Sequence, residues 1–339
     1  MPQIFQATHL RSSAQSADVF SDKPLTVTPI LYALETENLT RRFGKFCAVD
    51  GVTFRVRRGS IFGFLGPNGA GKTTTMRMLL GLLAPTSGRA QVLGYDVAHQ
   101  PRAVKKRIGY MSQRFSLYDE LTVAENLRFY GRTYGLRGDR LRARMQFVLD
   151  MADLVGRDHL RARELSGGWR QRLALGAAIL HEPELVFLDE PTAGVDPLSR
   201  RAFWELLYGL ASGGATIFVT THYMDEAERC QELAFIHAGQ IVAQGSPAAI
   251  KRSLMSAQVL ELSPDDPAGA MRLLKAARAG GQLAVDDIAL YGAQVHIIAR
   301  DAQSVVGVVQ RALEAGGVQP GSMDVIAPSL EDVFLASIK

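Results

Sequence analysis

Apolar residues come along this chain in short runs whose period changes from place to place. Ser60-Ile61-Phe62-Gly63-Phe64-Leu65, Leu185-Val186-Phe187-Leu188 and Thr216-Ile217-Phe218-Val219 are runs of strand length, as strands buried on both faces require. Residues 32–39 alternate as an edge strand would, residues 40–45 follow as a turn, and residues 49–56 read as another strand closed by Arg57-Arg58-Gly59. Residues 90–93 and 107–111 read as short strands, with Gly81-Leu82-Leu83-Ala84-Pro85-Thr86-Ser87-Gly88 as a turn-rich break before the first. Helical spacing appears in Thr75-Met76-Arg77-Met78-Leu79-Leu80, again over residues 122–155, and from Leu165 to about Leu180. Thr122 and Glu125 have the spacing of a capping box, so a helix is expected to start there. Strands interleaved with helices predict an α/β fold.

From about residue 251 the pattern changes. Residues 257–262, 282–285, 294–299 and 323–327 suggest strands, and residues 267–277, 302–315 and 329–338 suggest helices. The order β-α-β-β-α-β predicts a small α+β, split-βαβ module, followed by a closing helix. It offers no polar constellation suited to chemistry, so a packing or dimerising appendage is expected, with a regulatory role left open. At the other end, residues 1–30 are polar and aperiodic, with Ser12-Ser13-Ala14-Gln15-Ser16, and read as a mobile extension. The expected division is residues 1–30, 31–250 and 251–339.

Composition narrows the class. A chain of 339 residues with 47% apolar residues has ample material for a core. Its two cysteines, Cys47 and Cys230, lie far apart without metal-like spacing, which points to reduced thiols in a cytosolic protein. No run reaches the length of about 18 apolar residues that spans a bilayer, and no secretory signal is read at the N-terminus. Work at a membrane therefore requires spans from another chain. The net charge of +4 suits a nucleotide or an anionic membrane face, but solvated surface charge is the preferred reading.

The stretch Gly66-Pro67-Asn68-Gly69-Ala70-Gly71-Lys72-Thr73-Thr74 organises the rest. It meets every fixed position of G-x-x-x-x-G-K-[ST], between a strand and a helix. Glycines let the backbone turn with its N–H groups inward, and the positive helix end adds to their pull on a polyphosphate. Lys72 is expected to reach the β- and γ-phosphates, and the Thr73 hydroxyl to ligate Mg²⁺. Asp189-Glu190 end a buried strand, the edge at which open α/β sheets bind ligands. Asp189 is placed to hold Mg²⁺ and Glu190 to orient and deprotonate a water, while acidic pairs also end strands simply as turn starters. His222 ends another buried strand. Ser166-Gly167-Gly168 at a helix start forms a second anion-binding end, a pattern that plain loops share. Phe43 could stack on a base or merely pack. The arginines of residues 122–155 are expected on a solvated helix face.

The phosphate loop, Gln113, Ser166-Gly167-Gly168, Asp189-Glu190, Ala193-Gly194-Val195-Asp196 and His222 occur in one order and at familiar spacing. Together they resemble the nucleotide-binding subunit of an ABC transporter, over about residues 34–250. The resemblance implies a mixed sheet core with a helical subdomain at about residues 114–180, and ATP and Mg²⁺ as cofactors. It implies that Phe43 stacks on adenine, where tyrosine is usual. Gln113 senses Mg²⁺ and the attacking water. Ser166, Gly167 and Gly168 cap ATP from a second, head-to-tail ATPase copy. Asp189 is the second Mg²⁺ residue, Glu190 the base, and His222 the γ-phosphate switch. Asp196 lies in the loop linking the two sites. Trp169 stands where glutamine is commonest, and Val195 where leucine is usual. Neither departure removes a catalytic group.

Finer wording resembles one branch. Phe115-Ser116-Leu117-Tyr118-Asp119-Glu120-Leu121-Thr122-Val123, Gly194-Val195-Asp196-Pro197 and Pro328-Ser329-Leu330-Glu331-Asp332-Val333-Phe334 look like ABC-2 type exporters, above all ATPase subunits of multidrug exporters that work with a periplasmic adaptor. This implies ATP-driven export through separate ABC-2 permease subunits, from the cytoplasmic face of the inner membrane, with residues 114–130 as the contact. No nucleic-acid partner is expected. A soluble ABC ATPase acting on ribosomes or DNA is the first rival, although residues 74–165 hold no sustained heptads. An ATP-binding scaffold without turnover is a second rival, and an importer a third.

Overall fold

The computed structural model describes residues 31–113, 116–254 and 258–337. The expected N-terminal extension, Arg114 and Phe115 of the expected permease contact, and Ala257 of the expected first C-terminal strand lie outside these residues.

β1 (Tyr32–Phe43) and β2 (Phe46–Arg57) form a hairpin over Gly44-Lys45. The strand therefore runs through most of the turn expected at residues 40–45. β3 (Ile61–Leu65) follows, then α1 (Lys72–Leu79), β4 (Ser87–Val92), β5 (Tyr95–Asp96), α2 (Pro101–Lys105) and β6 (Ile108–Met111). Next come α3 (Val123–Thr133), α4 (Gly138–Met151), α5 (Gly167–Ile179), β7 (Leu185–Asp189), α6 (Pro197–Ser212), β8 (Thr216–Thr221) and α7 (Met224–Ala227). β9 (Glu232–His237), β10 (Gln240–Gly245) and α8 (Pro247–Leu254) close this part.

Two sheets are built from these strands. One is antiparallel, in the order β2-β1-β4-β5; the other is mixed, in the order β10-β9-β3-β8-β7-β6. β1 is thus an interior strand, paired with both β2 and β4, and not the expected edge. Alternation reports only that one face is wet, and it reads alike in either position. In the mixed sheet β9, β3, β8, β7 and β6 are parallel and β10 is antiparallel. The α/β fold is as expected.

The sheets meet through aromatic side chains. The ring of Phe54 on β2 lies 5.4 Å from Phe62, 5.3 Å from Phe64 and 6.0 Å from Phe218, and Phe187 lies 5.4 Å from Phe218. The opposite face of the mixed sheet packs on α5 and α6, where Leu173, Leu175, Phe203, Trp204 and Leu207 are fully buried. Such burial is worth roughly 1.5–3 kcal/mol per large side chain.

The helical pattern over residues 122–155 is two helices. The capping box of Thr122 and Glu125 starts α3 with both reciprocal hydrogen bonds. The break comes at Gly135, whose φ of +82° a side chain rarely adopts. The arginines are not all solvated. Arg144 donates from Nε to Leu180 O at 3.0 Å and from Nη2 to Ile179 O at 3.2 Å, so a cation closes the carbonyl end of α5.

The C-terminal part holds β11 (Gln258–Leu262), α9 (Pro267–Ala279), β12 (Asp287–Tyr291), β13 (Gln294–Ala299), α10 (Ala302–Ala315), β14 (Met323–Ile326) and α11 (Leu330–Ser337). Its sheet, β12-β13-β11-β14, is antiparallel throughout, the split-βαβ arrangement. The strand expected at 282–285 lies instead at Asp287–Tyr291. The Tyr291–Gln294 pairing fixes the register of the hairpin with β13, while Leu283 packs from a loop. α11 returns to the first part. Leu330, Val333 and Phe334 pack with Leu65, Ala227, Phe235 and Ile250.

The module contains a buried polar cluster that the sequence pattern did not show. His296 on β13 is buried, with Nδ1 2.9 Å from Asp332 Oδ1 and Nε2 3.2 Å from Glu261 Oε2, and its ring stacks on Tyr291. Asp332 also accepts from Ser329 N at 2.8 Å and Ser329 Oγ at 2.6 Å, which caps α11. The hydrogen bond to Asp332 holds the His296 pKa above its ordinary value. Burial pushes Asp332 up, but the His296 and Ser329 hydrogen bonds prevail and leave it low. The cluster therefore ties α11 to the module's sheet.

Two outcomes are expected from these contacts. Phe54→Ala removes the ring shared by both sheets and should cost about 3–5 kcal/mol in urea unfolding. The raised pKa of His296 gives stability that is fully present below about pH 6.5 and is lost as pH rises through the raised value. His296→Leu should therefore show a flatter fall in unfolding free energy on the alkaline side than the parent, measured by urea titrations across that range.

Candidate functional site

Four parallel strands end on one edge, and each delivers a polar group there. β3 leads into the glycine loop, β6 toward Gln113, β7 into Asp189-Glu190, and β8 into His222. Parallel pairing makes this convergence unavoidable, since all four carboxyl ends point one way.

The loop Gly66–Thr74 is shaped by close backbone approach. A Cβ on Gly66 would lie 2.2 Å from Ile236 O. At Gly71 φ is +110°, and a Cβ there would lie 2.6 Å from Ala48 O. The hairpin of β1 and β2 therefore flanks the loop. Pro67, Asn68 and Gly69 are exposed and Ala70 is buried. α1 begins at Lys72 without a side-chain cap, which leaves its first-turn amides for an anion. Thr73 is exposed and Thr74 half-buried in that first turn. Lys72 is 4% exposed; its Nζ donates to Gly66 O at 2.7 Å and Pro67 O at 3.2 Å.

Glu190 is the meeting point. Its Oε1 lies 3.1 Å from Lys72 Nζ, and its Oε2 accepts from Gln113 Nε2 at 3.1 Å and lies 3.3 Å from His222 Nδ1. The residue holds φ +46°, uncommon for a side chain of this size. Thr220 fixes that conformation: the Glu190 N–H donates to both Thr220 O and Thr220 Oγ1 at 3.1 Å. The same hydroxyl donates to Asp189 Oδ1 at 2.6 Å. Asp189 is buried, and burial, reinforced by the neighbouring Glu190 charge, raises its pKa against the Thr220 hydrogen bond. The expected catalytic set Lys72, Gln113, Glu190 and His222 is thus brought within contact distance, with Asp189 adjacent.

Other expected residues stand apart. Ser166 is the N-cap position of α5 without a side-chain cap bond, and Ser166 and Gly167 are exposed. Gly168 is buried, and a Cβ there would lie 2.5 Å from Ser199 Oγ. Among the described residues no hydrogen bond or ion pair joins Ser166–Gly168 to residues 66–74. Asp196 caps α6, accepting from Ser199 N at 2.9 Å, and hydrogen bonds from the Ser199 side chain and backbone lower its pKa. Phe43 at the end of β1 is 47% exposed, with the Arg41 guanidinium 4.6 Å over its ring. Trp169 packs on the helical core under Arg157, 4.0 Å from its ring.

Sequence reasoning missed the residues that hold these groups. Thr220 had a signal, a hydroxyl inside an apolar strand. Gln171 is fully buried and donates to Pro191 O at 2.5 Å, next to Glu190. Glu226 is fully buried and accepts from Thr192 Oγ1. Asp225-Glu226 reads in the sequence as an ordinary exposed helix start, so nothing pointed to it.

Comparison with known proteins identifies the family. A sequence family described as "ABC transporter" matches residues 49–193. A probable multidrug ABC transporter ATP-binding protein of Escherichia coli is 48% identical over 227 residues, 66% of this chain, and the match spans only 39% of that protein's length. A Nod factor export ATP-binding protein of Ralstonia nicotianae is 40% identical over 310 residues, 91% of this chain and 93% of that protein. Among solved structures, an ATP-binding subunit of an ABC transporter superposes with TM-score 0.59 at 33% identity, over 65% of this chain and 92% of that one. With relationship over nearly the whole length of the second of these proteins, the chain belongs to the ATP-binding subunits of ABC transporters, a family whose domain binds and hydrolyses ATP.

Proposed function

We propose that this chain hydrolyses ATP to power export of a substrate, drug-like or otherwise hydrophobic, through separate ABC-2 type permease subunits at the cytoplasmic face of the inner membrane. The observation that carries the ATPase part is the convergence of Lys72, Gln113 and His222 on the carboxylate of Glu190. Export is favoured by the names of the relatives, which speak of multidrug transport and of Nod factor export. Among the described residues no helix is long and apolar enough to cross a membrane, so the reading needs a membrane partner. A periplasmic adaptor would be reached through that partner.

In this reading the loop Gly66–Thr74 cradles the phosphates of ATP with its amides and the start of α1, and Phe43 stacks on adenine. Lys72 leaves the loop carbonyls for the β- and γ-phosphate oxygens. Glu190 then orients a water and takes its proton, while Gln113 and His222 align that water with the γ-phosphate. The Thr73 hydroxyl, the Asp189 carboxyl and Gln113 are hard oxygen donors of the kind Mg²⁺ takes, and the ion would neutralise phosphate charge there. Ser166, Gly167 and Gly168, an uncapped and partly exposed helix start, cap the ATP of a second copy arranged head to tail, with Asp196 between the two sites. Residues 114–130 would contact the permease. Residues 251–339 form an accessory module, and residues 1–30 an extension.

Glu190→Gln keeps the shape of the site and removes the base. Turnover should fall by roughly a hundredfold or more with ATP affinity retained, measured as steady-state phosphate release beside equilibrium nucleotide binding. Full turnover in that variant would remove Glu190 from the role. Co-purification from native membranes in mild detergent should recover an integral membrane permease, and altering residues 116–130 should release it. Recovery of ribosomes or DNA without a membrane protein would leave the ATPase and overturn export.

A further inference from the structure

The two groups that must act on one water sit on different strands. Glu190 follows β7 and His222 follows β8, and each begins an irregular segment. Backbone pairing of β7 with β8 ends at Asp189 and Thr220. Beyond it the segment after Glu190 and the segment after His222 need some other connection to keep a fixed spacing.

That connection is a buried side-chain bond. Thr192, two residues after Glu190, donates its hydroxyl proton to Glu226 Oε1, four residues after His222. Thr192 is 1% exposed and Glu226 is fully buried. Burial raises the Glu226 pKa, with the Thr192 and Thr221 hydroxyl hydrogen bonds acting against it. A carboxyl group kept in so dry a place costs stability unless its bonds do something that an apolar side chain cannot. Arg200 of α6 reinforces the link. Its guanidinium lies 4.5 Å over Tyr223, and its Nε is 3.7 Å from Glu226 Oε1. Tyr223 in turn packs on His222, with ring centroids 4.1 Å apart.

We infer that Glu226 is a positioning residue for ATP hydrolysis, fixing the spacing of Glu190 and His222 through its bond to Thr192. The inference rests on the ATPase reading above and assigns to Glu226 no contact with substrate. A displacement of about 1 Å at a reacting centre can cost two orders of magnitude in rate without loss of binding. Removal of the link should accordingly appear in kcat.

The experiment measures kcat and KM for ATP in the full chain, with melting temperature alongside, for Glu226→Ala, Glu226→Gln, Thr192→Val and the Thr192→Val, Glu226→Ala pair. Wild-type turnover that Glu190→Gln abolishes establishes the ATPase reading first; its absence would overturn that reading, and this inference with it. Against that baseline Glu226→Ala should lower kcat roughly ten- to hundredfold with KM within about twofold. Glu226→Gln, which keeps the acceptor oxygen, should restore most of the rate. Thr192→Val should reproduce the Glu226→Ala loss, and the pair should be no slower than either single variant. Wild-type kcat in Glu226→Ala overturns the inference while leaving the ATPase reading intact. Losses that multiply in the pair, or a Glu226→Gln as slow as Glu226→Ala, overturn it as well. Should Glu226→Ala fail to fold, Thr192→Val alone decides between the same two results.

Discussion

Everything at the candidate site turns on one carboxylate, that of Glu190, held in a fixed and nearly buried place. It is 10% exposed, it follows the buried Asp189, and its nearest cation is Lys72, itself 4% exposed. A buried negative charge is tolerable only with a matched positive charge and hydrogen-bond donors. Lys72 supplies the charge, Gln113 supplies a donor, and His222 stands against the same oxygen. Each of these partners comes from a separate element of the parallel sheet. The sheet order β3-β8-β7-β6 places the carboxyl ends that carry these groups side by side along one edge.

The same constraint explains the unusual backbone at Glu190. A positive φ in a non-glycine residue costs of order 1 kcal/mol or more and persists only when its surroundings over-determine it. Here Thr220 holds the Glu190 amide from both its carbonyl and its hydroxyl, and Ala193 N closes a turn onto Glu190 O at 3.2 Å. The strained turn aims the carboxylate back along the strand edge toward Lys72.

How much of this the sequence discloses depends on the kind of signal each residue carries. The glycine loop is legible because its geometry admits few residues: at Gly66 a single added carbon would meet a carbonyl oxygen. Asp189, Glu190 and His222 are legible because polar groups that end apolar strands are conspicuous. The position of β1 inside its sheet is hidden, since alternation is the same for an edge and for an interior strand with one wet face. The strand at 287–291 is expected too early because Leu283 and Val285 alternate yet only Leu283 is deeply buried, while a hairpin further along sets the register. His296, Gln171 and Glu226 are illegible for a deeper reason. Their partners lie 36, 20 and 34 residues away, and no local pattern reports a polar pair that forms only on folding.

These long-range pairs share a design. Gln171 ties α5 to Pro191, Thr192 ties the same turn to Glu226, and α7 carrying Glu226 packs through Ala227 on α11. α11 is in turn fixed to the C-terminal sheet by Asp332 and His296. A series of buried contacts thus runs from α5 past the turn after Glu190 to the C-terminal sheet. Buried polar bonds suit such a role better than apolar packing. An apolar contact tolerates sliding, whereas a hydroxyl or amide displaced by an ångström loses its partner and has no water to replace it. Displacing α5 would therefore require the Gln171 bond to Pro191 to break with no water to take its place.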